Sequence, residues 1–219
     1  EMCIRDRIVT WTSKGIEYQA DPRHRKVILE YFGIGDDTKP GANNGVKDKE
    51  EEWESQELNR EEAKEYRGLA ARLNFLSSDS PDLQFASKPS SQQMANPTRG
   101  AWMVIKKVAR YLADAEKIVW NFEYQDEPNF AHTTSDSDWG GISRDRKSTS
   151  GGLWMLGKHC IKTWSASQGA YALSSAEAEL HALVEGVMRA KGLTLLAQEL
   201  GMGEVSDLSL IHISEPTRP

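Results

Sequence analysis

The sequence predicts an α+β protein in which a helical segment is followed by a three-stranded antiparallel sheet covered by a long helix. Three observations carry this. Apolar residues recur at helical spacing from Leu58 to Leu112. From Ile118 the period changes to two, and the residues turn aromatic and β-branched. Helical spacing then returns over Ser174–Leu200. Consecutive antiparallel strands make a core when something covers one face, and that long helix is the element placed to do it.

Taken in order, Ile8–Tyr18 alternates through Val9, Trp11, Ile16 and Tyr18 and reads as a strand. Pro22–Phe32 reads as a helix, with Asp21 as N-cap, Pro22 at the first helical position and Val27, Ile28, Tyr31 and Phe32 on one stripe. Gly41–Gly45 and Lys47–Glu54 are polar and aperiodic, the pattern of a surface linker. Leu58–Ser77 places Tyr66, Leu69, Ala70, Leu73 and Leu76 at helical spacing. A second helix opens with Ser80-Pro81, and Pro89 is expected to break or kink it near Lys88, since an interior proline costs about 3 kcal/mol. A third opens with Asn96-Pro97. Its apolar side carries Trp102, Ile105, Val108, Ala109 and Leu112, while Lys106, Lys107 and Arg110 stand largely apart from it.

Ile118–Tyr124 and Phe130–Ser135 read as strands. Ser148–Leu156 and Cys160–Trp164 are two more, joined by a two-residue hairpin at Gly157-Lys158. The final helix is expected to bury Leu180, Leu183, Val184, Val187, Leu195, Leu196 and Leu200 on or near its inner side.

Composition narrows the setting. The chain has 219 residues, of which 38% are hydrophobic and 27% charged, and no apolar run approaches the roughly 18 residues of a membrane span. No signal-peptide layout is present, and two cysteines build neither a disulfide framework nor a thiolate zinc site. An intracellular location, in cytoplasm or nucleus, is expected. The net charge of −6 argues against nucleic acid until it is mapped. Residues 36–66 hold eleven acids against five bases, which accounts for the whole excess. Phe85–Gln125 carries six bases against three acids. Phosphate contacts on Lys106, Lys107 and Arg110 therefore remain open beside the alternative of a solvated helix face.

Two carboxylate groups could carry chemistry. Asp136 and Asp138 lie in Ser135-Asp-Ser-Asp-Trp-Gly-Gly141, at the end of a strand; the same spacing also fits a simple turn. Ser174-Ser-Ala-Glu-Ala-Glu179 opens the long helix, where Ser174 and Glu177 have capping-box spacing. That gives Glu177 a structural task and leaves Glu179 without one. A Glu179 carboxylate facing the strand end would make a hard-oxygen site suited to magnesium. The five histidines show no ligand spacing. A nucleotide-sugar transferase using Asp136 and Asp138 would need a preceding nucleotide-binding α/β layer, and 58–117 is helical instead.

Three motifs now stand in order: Thr134-Ser-Asp-Ser-Asp-Trp-Gly-Gly, Arg146-Lys-Ser-Thr-Ser-Gly-Gly152, and Ser174-Ser-Ala-Glu-Ala-Glu-Leu180. This order resembles the ribonuclease H domain of copia-type retrotransposon Pol polyproteins. Upstream, Glu65-Tyr-Arg-Gly-Leu-Ala-Ala-Arg-Leu and Ser80-Pro-Asp-Leu-Gln-Phe-Ala resemble that family's connection between reverse transcriptase and ribonuclease H. Gly15-Ile-Glu-Tyr-Gln resembles the end of the reverse transcriptase. The resemblance implies a partial ribonuclease H-like fold and a two-metal magnesium site with Asp136 and Glu179 among its catalytic and metal-binding carboxylates. It also implies an RNA–DNA hybrid as substrate, sensed through its shape and 2′-hydroxyls, and the remainder of the Pol polyprotein as partner. Asp138 belongs to the motif without being an expected ligand.

The implied organisation is a non-native tail at 1–7, the end of reverse transcriptase at 8–35, an acidic linker at 36–57, a helical connection at 58–117 and a truncated ribonuclease H-like domain at 118–210. A second non-native tail follows at 211–219. Both tails resemble translated sequencing adapter. The family's third carboxylate falls after the kind of sequence seen at Val205–Leu210, where Ile211–Ser214 carry no acid. The chain is therefore expected to hold half a nuclease site and to be inactive, its parent being the hybrid-cleaving enzyme. The alternative is a non-catalytic nucleic-acid-binding connection domain.

Overall fold

The computed structural model describes residues 2–3, 7–35, 56–115, 117–141, 146–202 and 206–212, the first and last of these as backbone. Most of the expected acidic linker (36–55), most of the N-terminal tail (1 and 4–6) and 213–219 of the C-terminal tail lie outside the described residues. The chain divides into two compact units, Glu1–Glu123 and Tyr124–Pro219.

The first unit contains an antiparallel sheet ordered β1 (Met2–Cys3), β2 (Arg7–Trp11), β3 (Gly15–Ala20), β4 (Val119–Glu123). The alternation over Ile8–Tyr18 is thus a hairpin rather than one strand. Thr12 makes the turn: its Oγ1 accepts from the amides of Lys14 (3.2 Å) and Gly15 (3.1 Å). Strand β4 joins this sheet by pairing Tyr18 with Trp120, so it belongs to the first unit and not to the sheet that follows it in sequence.

Among the described residues the unit also holds four helices: α1 (Pro22–Tyr31), α2 (Arg60–Ser77), α3 (Pro81–Gln92) and α4 (Arg99–Asp114). Asp21 caps α1 by accepting from the Arg23 amide at 2.8 Å. Asn59 and Glu62 close a reciprocal capping box on α2. Two expectations change. Helix α4 is capped by Thr98, two residues past Asn96, because the preceding backbone bridges Glu57 to Thr98. Helix α3 also runs unbroken through Pro89. The proline sits in the last turn, where the missing donor forfeits one bond late in the ladder, and the Gln93 amide still bonds the Pro89 carbonyl at 3.3 Å. Tyr66, Ile28, Leu83 and Ile105 are among the buried residues where these helices meet. The Tyr66 hydroxyl donates to the Ser90 carbonyl at 2.7 Å, and burial holds this phenol far above its ordinary pKa.

Asp79, buried in the turn between α2 and α3, ties the helices to the sheet. Its carboxylate accepts from Arg7 Nε (3.1 Å) and from the Tyr18 hydroxyl (2.5 Å), while its carbonyl accepts from Trp120 Nε1 (2.8 Å). One residue thus binds β2, β3 and β4. Burial and the bond to Asp79 push the Tyr18 phenol up to about 12.

The second unit holds β5 (Phe130–Asp138), β6 (Thr149–Leu156), β7 (His159–Ser167), α5 (Ser175–Glu199) and β8 (Ser206–His212). Its sheet order is β7-β6-β5-β8. The three antiparallel strands and the long helix packed against them match the expected fold class. The Gly157-Lys158 turn is present, with Gly157 at φ +57°. A fourth strand extends the sheet, since β8 pairs parallel to β5 from Phe130 opposite Ser206 to Ser135 opposite His212. Ile211 and His212, assigned above to a tail, continue this strand.

Helix α5 presents a different face from the one expected. Its buried positions are the small residues Ala178, Ala182, Gly186, Thr194 and Ala197. Leu180, Val184, Val187, Leu195, Leu196 and Leu200 are exposed instead. The reason is proximity: a Cβ on Gly186 would lie 3.3 Å from Ser135 Cβ. A leucine stripe does not fit such a gap. Among the described residues, no helix is long and apolar enough to cross a membrane.

Replacing Asp79 with Asn removes the charge from bonds to two partners and should lower stability by about 2 kcal/mol, read as a drop in urea midpoint at unchanged slope by Trp fluorescence. The raised Tyr18 pKa adds stability below about pH 10, the ordinary phenol value, and that increment is lost as pH climbs through about 12. Tyr18→Phe should therefore flatten part of the alkaline stability loss.

Candidate active site

Strand β5 carries its side chains alternately to two faces. Thr133 and Ser135 meet α5 at Gly186, and both are buried. In the next strand Gly152 stands opposite Ser135, with Trp164 beside it on β7. A Cβ on Gly152 would overlap the Trp164 ring and lie 2.7 Å from the Thr134 carbonyl, so this glycine is required by packing. Arg189 of α5 stacks over the other side of the row, 5.2 Å from the Trp164 ring centroid. Ser135, Gly152 and Trp164 are therefore the helix-facing row.

Asp136 belongs to the opposite row. It is exposed and stands across from Gly151, where a Cβ would meet only the Trp164 carbonyl, at 4.0 Å. The β8 ladder ends at Ser135, one residue earlier, so Asp136 lies just beyond the described parallel pairing.

Glu179 reaches the same end of the sheet from the helix. Gln168 Nε2 donates to Ser150 Oγ (3.1 Å) and to the Ala178 carbonyl (2.8 Å), and Ser150 stands opposite Ser137. The first turns of α5 thus lie over the C-terminal end of β5. Glu179 is half-buried, with Oε2 shielded from solvent. The fold brings the two acid-bearing elements to one end of the sheet.

The neighbouring acids have structural tasks. Glu177 Oε2 accepts from the Leu173 amide at 2.7 Å, while Ser174 Oγ accepts from the Glu177 amide at 3.2 Å, which closes the helix start. The Asp138 carboxylate fills the place a Cβ would take on Gly141, and Gly140 has φ +58°. This explains the paired glycines of the motif and sets Asp138 apart from Asp136. Periodicity alone did not separate them. Among the described residues, no group of three or more His, Cys, Asp or Glu gathers where a metal could be held.

Comparison with known proteins finds relatives among retrotransposon Pol polyproteins. The Pol polyprotein of transposon RE2 from Arabidopsis thaliana is 35% identical over 138 residues, and that of transposon RE1 is 33% identical over the same length. Each match covers 63% of this chain and 9% of the polyprotein. This similarity supports reading the chain as a segment of a retrotransposon Pol polyprotein. Secreted RxLR effector protein 161 of Plasmopara viticola is 36% identical over 115 residues, which is 52% of this chain and 80% of that protein. No family profile and no solved structure matches the chain.

This Pol segment also carries the basic positions singled out from sequence. Lys106, Lys107 and Arg110 lie on α4 on the side away from its buried residues, with exposed Met103 one turn before them. They sit in the first unit, apart in sequence and in fold from the carboxylates of the second.

Substitutions should separate the two kinds of motif position. Asp136→Asn, at an exposed site, should change stability by no more than about 0.5 kcal/mol. Gly152→Ala, forced against Trp164 and the β5 backbone, should cost about 2 kcal/mol in urea unfolding.

Proposed function

We propose that this chain is the connection and ribonuclease H portion of a retrotransposon Pol polyprotein, whose parent cleaves the RNA strand of RNA–DNA hybrids. The observation that supports it best is the pairing of an exposed Asp136, beside the open Gly151 position, with Glu179 in the first turns of the covering helix. Both are hard oxygen donors, of the kind magnesium selects. They fit half of a two-metal site. Asp136 and Glu179 would hold the ion, which would polarise a phosphodiester and activate water when bound. The chain's own contribution is positional: Gly151 keeps the space beside Asp136 clear, and the capped helix start orients Glu179.

Two acids, with no group of three or more possible ligands gathered among the described residues, are too little anionic charge to keep two divalent ions close together. The chain itself should therefore be inactive. In a magnesium assay with a labelled hybrid, no cleavage above background is expected, and Asp136→Asn should make no difference. Cleavage abolished by Asp136→Asn would overturn this and mean that another acid completes the site.

A second reading, a non-catalytic nucleic-acid-binding connection, is favoured by the basic side of α4. Reversing Lys106, Lys107 and Arg110 to Glu should weaken binding evenly across sequences and flatten its salt dependence. Unchanged affinity and slope would reduce that surface to a solvated helix side.

A further inference from the structure

The loop after β5 and the loop before α5 are joined at their tips. Trp139 Nε1 donates to the Ala172 carbonyl at 3.0 Å, and Gly140 N donates to Ser148 Oγ at 3.2 Å. On the other side, the Leu173 amide is held by Glu177. The two loops are therefore pinned, and what they pin is apolar and exposed: Trp139 is 49% exposed, Tyr171 59% and Leu173 87%. Two bases lie against them. Lys147 Nζ stands 5.6 Å from the Tyr171 ring centroid, and Arg146 Nε lies 3.9 Å from the Cβ position of Gly140. Arg146 holds φ at +52°, the one non-glycine among the described residues with positive φ. Side chains rarely adopt that conformation, and it recurs where a local geometry is needed for function.

Ordered aromatic rings left in water beside cations are the combination that binds unpaired nucleotides. The ring stacks on a base, and the cation meets the adjoining phosphate. We infer that Trp139 and Tyr171, with Arg146 and Lys147, form a stacking site for an unpaired nucleotide of a nucleic-acid strand. The inference rests on the nucleic-acid reading above and adds a site to it. Its location is informative. Trp139 follows Asp138 directly and Leu173 is bonded to the residue two before Glu179, so the rings stand on the loops adjoining the strand and the helix that bear the candidate acids. A fully paired hybrid keeps its bases stacked on one another. The site therefore selects a strand that continues past the end of a duplex.

The test uses the full chain and two fluorescent probes, a blunt RNA–DNA hybrid and the same hybrid with a single-stranded DNA overhang, read by polarisation. The wild-type chain should prefer the overhang probe. Tyr171→Ala should weaken that binding about tenfold and leave the salt slope unchanged, while Tyr171→Phe should retain it. Lys147→Gln should instead lower the salt slope by about one phosphate contact. Trp139→Phe keeps a ring without the Ala172 bond and serves as the second variant if Trp139→Ala unfolds the loop. Overhang preference untouched by Tyr171→Ala and Trp139→Ala alike, in a chain whose affinity still falls on reversal of Lys106, Lys107 and Arg110, would overturn this site and leave the nucleic-acid reading standing. No binding of either probe by the wild-type chain would overturn both.

Discussion

The close approach of α5 to β5 at Gly186 and Ser135 governs the second unit. A helix and a sheet this near each other tolerate small side chains at the crossing, and both surfaces supply them: Ala178, Ala182 and Gly186 on the helix, Thr133, Ser135 and Ser150 on the sheet. The contact fixes the height of the helix over the strand. It thereby sets the first turns, and Glu179 with them, at the strand's C-terminal end. The same contact turns the larger apolar residues of α5 outward, because a leucine at the crossing would push the layers apart and forfeit the dispersion contacts of the whole row. Buried Trp154 and Trp164 supply the bulk on this face: the Trp164 indole takes the place a side chain on Gly152 would fill, and the Arg189 guanidinium lies 5.2 Å from its ring centroid.

Glycine is used here for two opposite purposes. At Gly152 and Gly141 the vacated volume is filled at once, by an indole and by the Asp138 carboxylate. At Gly151, beside the exposed Asp136, a Cβ would meet only the Trp164 carbonyl, 4.0 Å away. Filled positions are explained by packing. An open one next to a carboxylate is a place for something from outside. The candidate site is recognised by this contrast more than by the acids themselves, since acids also occupy caps and turns throughout the chain.

The first unit is organised around a different kind of contact. A single buried carboxylate, Asp79, meets a guanidinium and a phenol from two strands, and its backbone carbonyl meets an indole from a third. Such a group is costly to bury and stable once surrounded by donors, so it rewards one arrangement of strands and helices over its alternatives. Val119–Glu123 is drawn into this unit because Trp120 pairs opposite Tyr18 and reaches Asp79.

Sequence by itself determined what depends on neighbours within a few positions. The Asp21 cap, the helical spans of α2 and α5, the Gly157-Lys158 turn and the capping role of Glu177 all rest on bonds between residues close along the chain, and they were legible for that reason. The order of the acid-bearing motifs was legible too, and it led to the Pol family. What tertiary structure decided is partner choice and facing. Strand β4 could have paired forward or back, and the alternation of its residues is the same either way. The parallel place of β8 beside β5 depends on pairing between residues more than seventy positions apart. Which side of α5 is buried follows from the small residues at the crossing, against the expectation set by its leucines and valines. A period of two assigns each residue to one side of a strand, but the position of the covering helix decides which side is which.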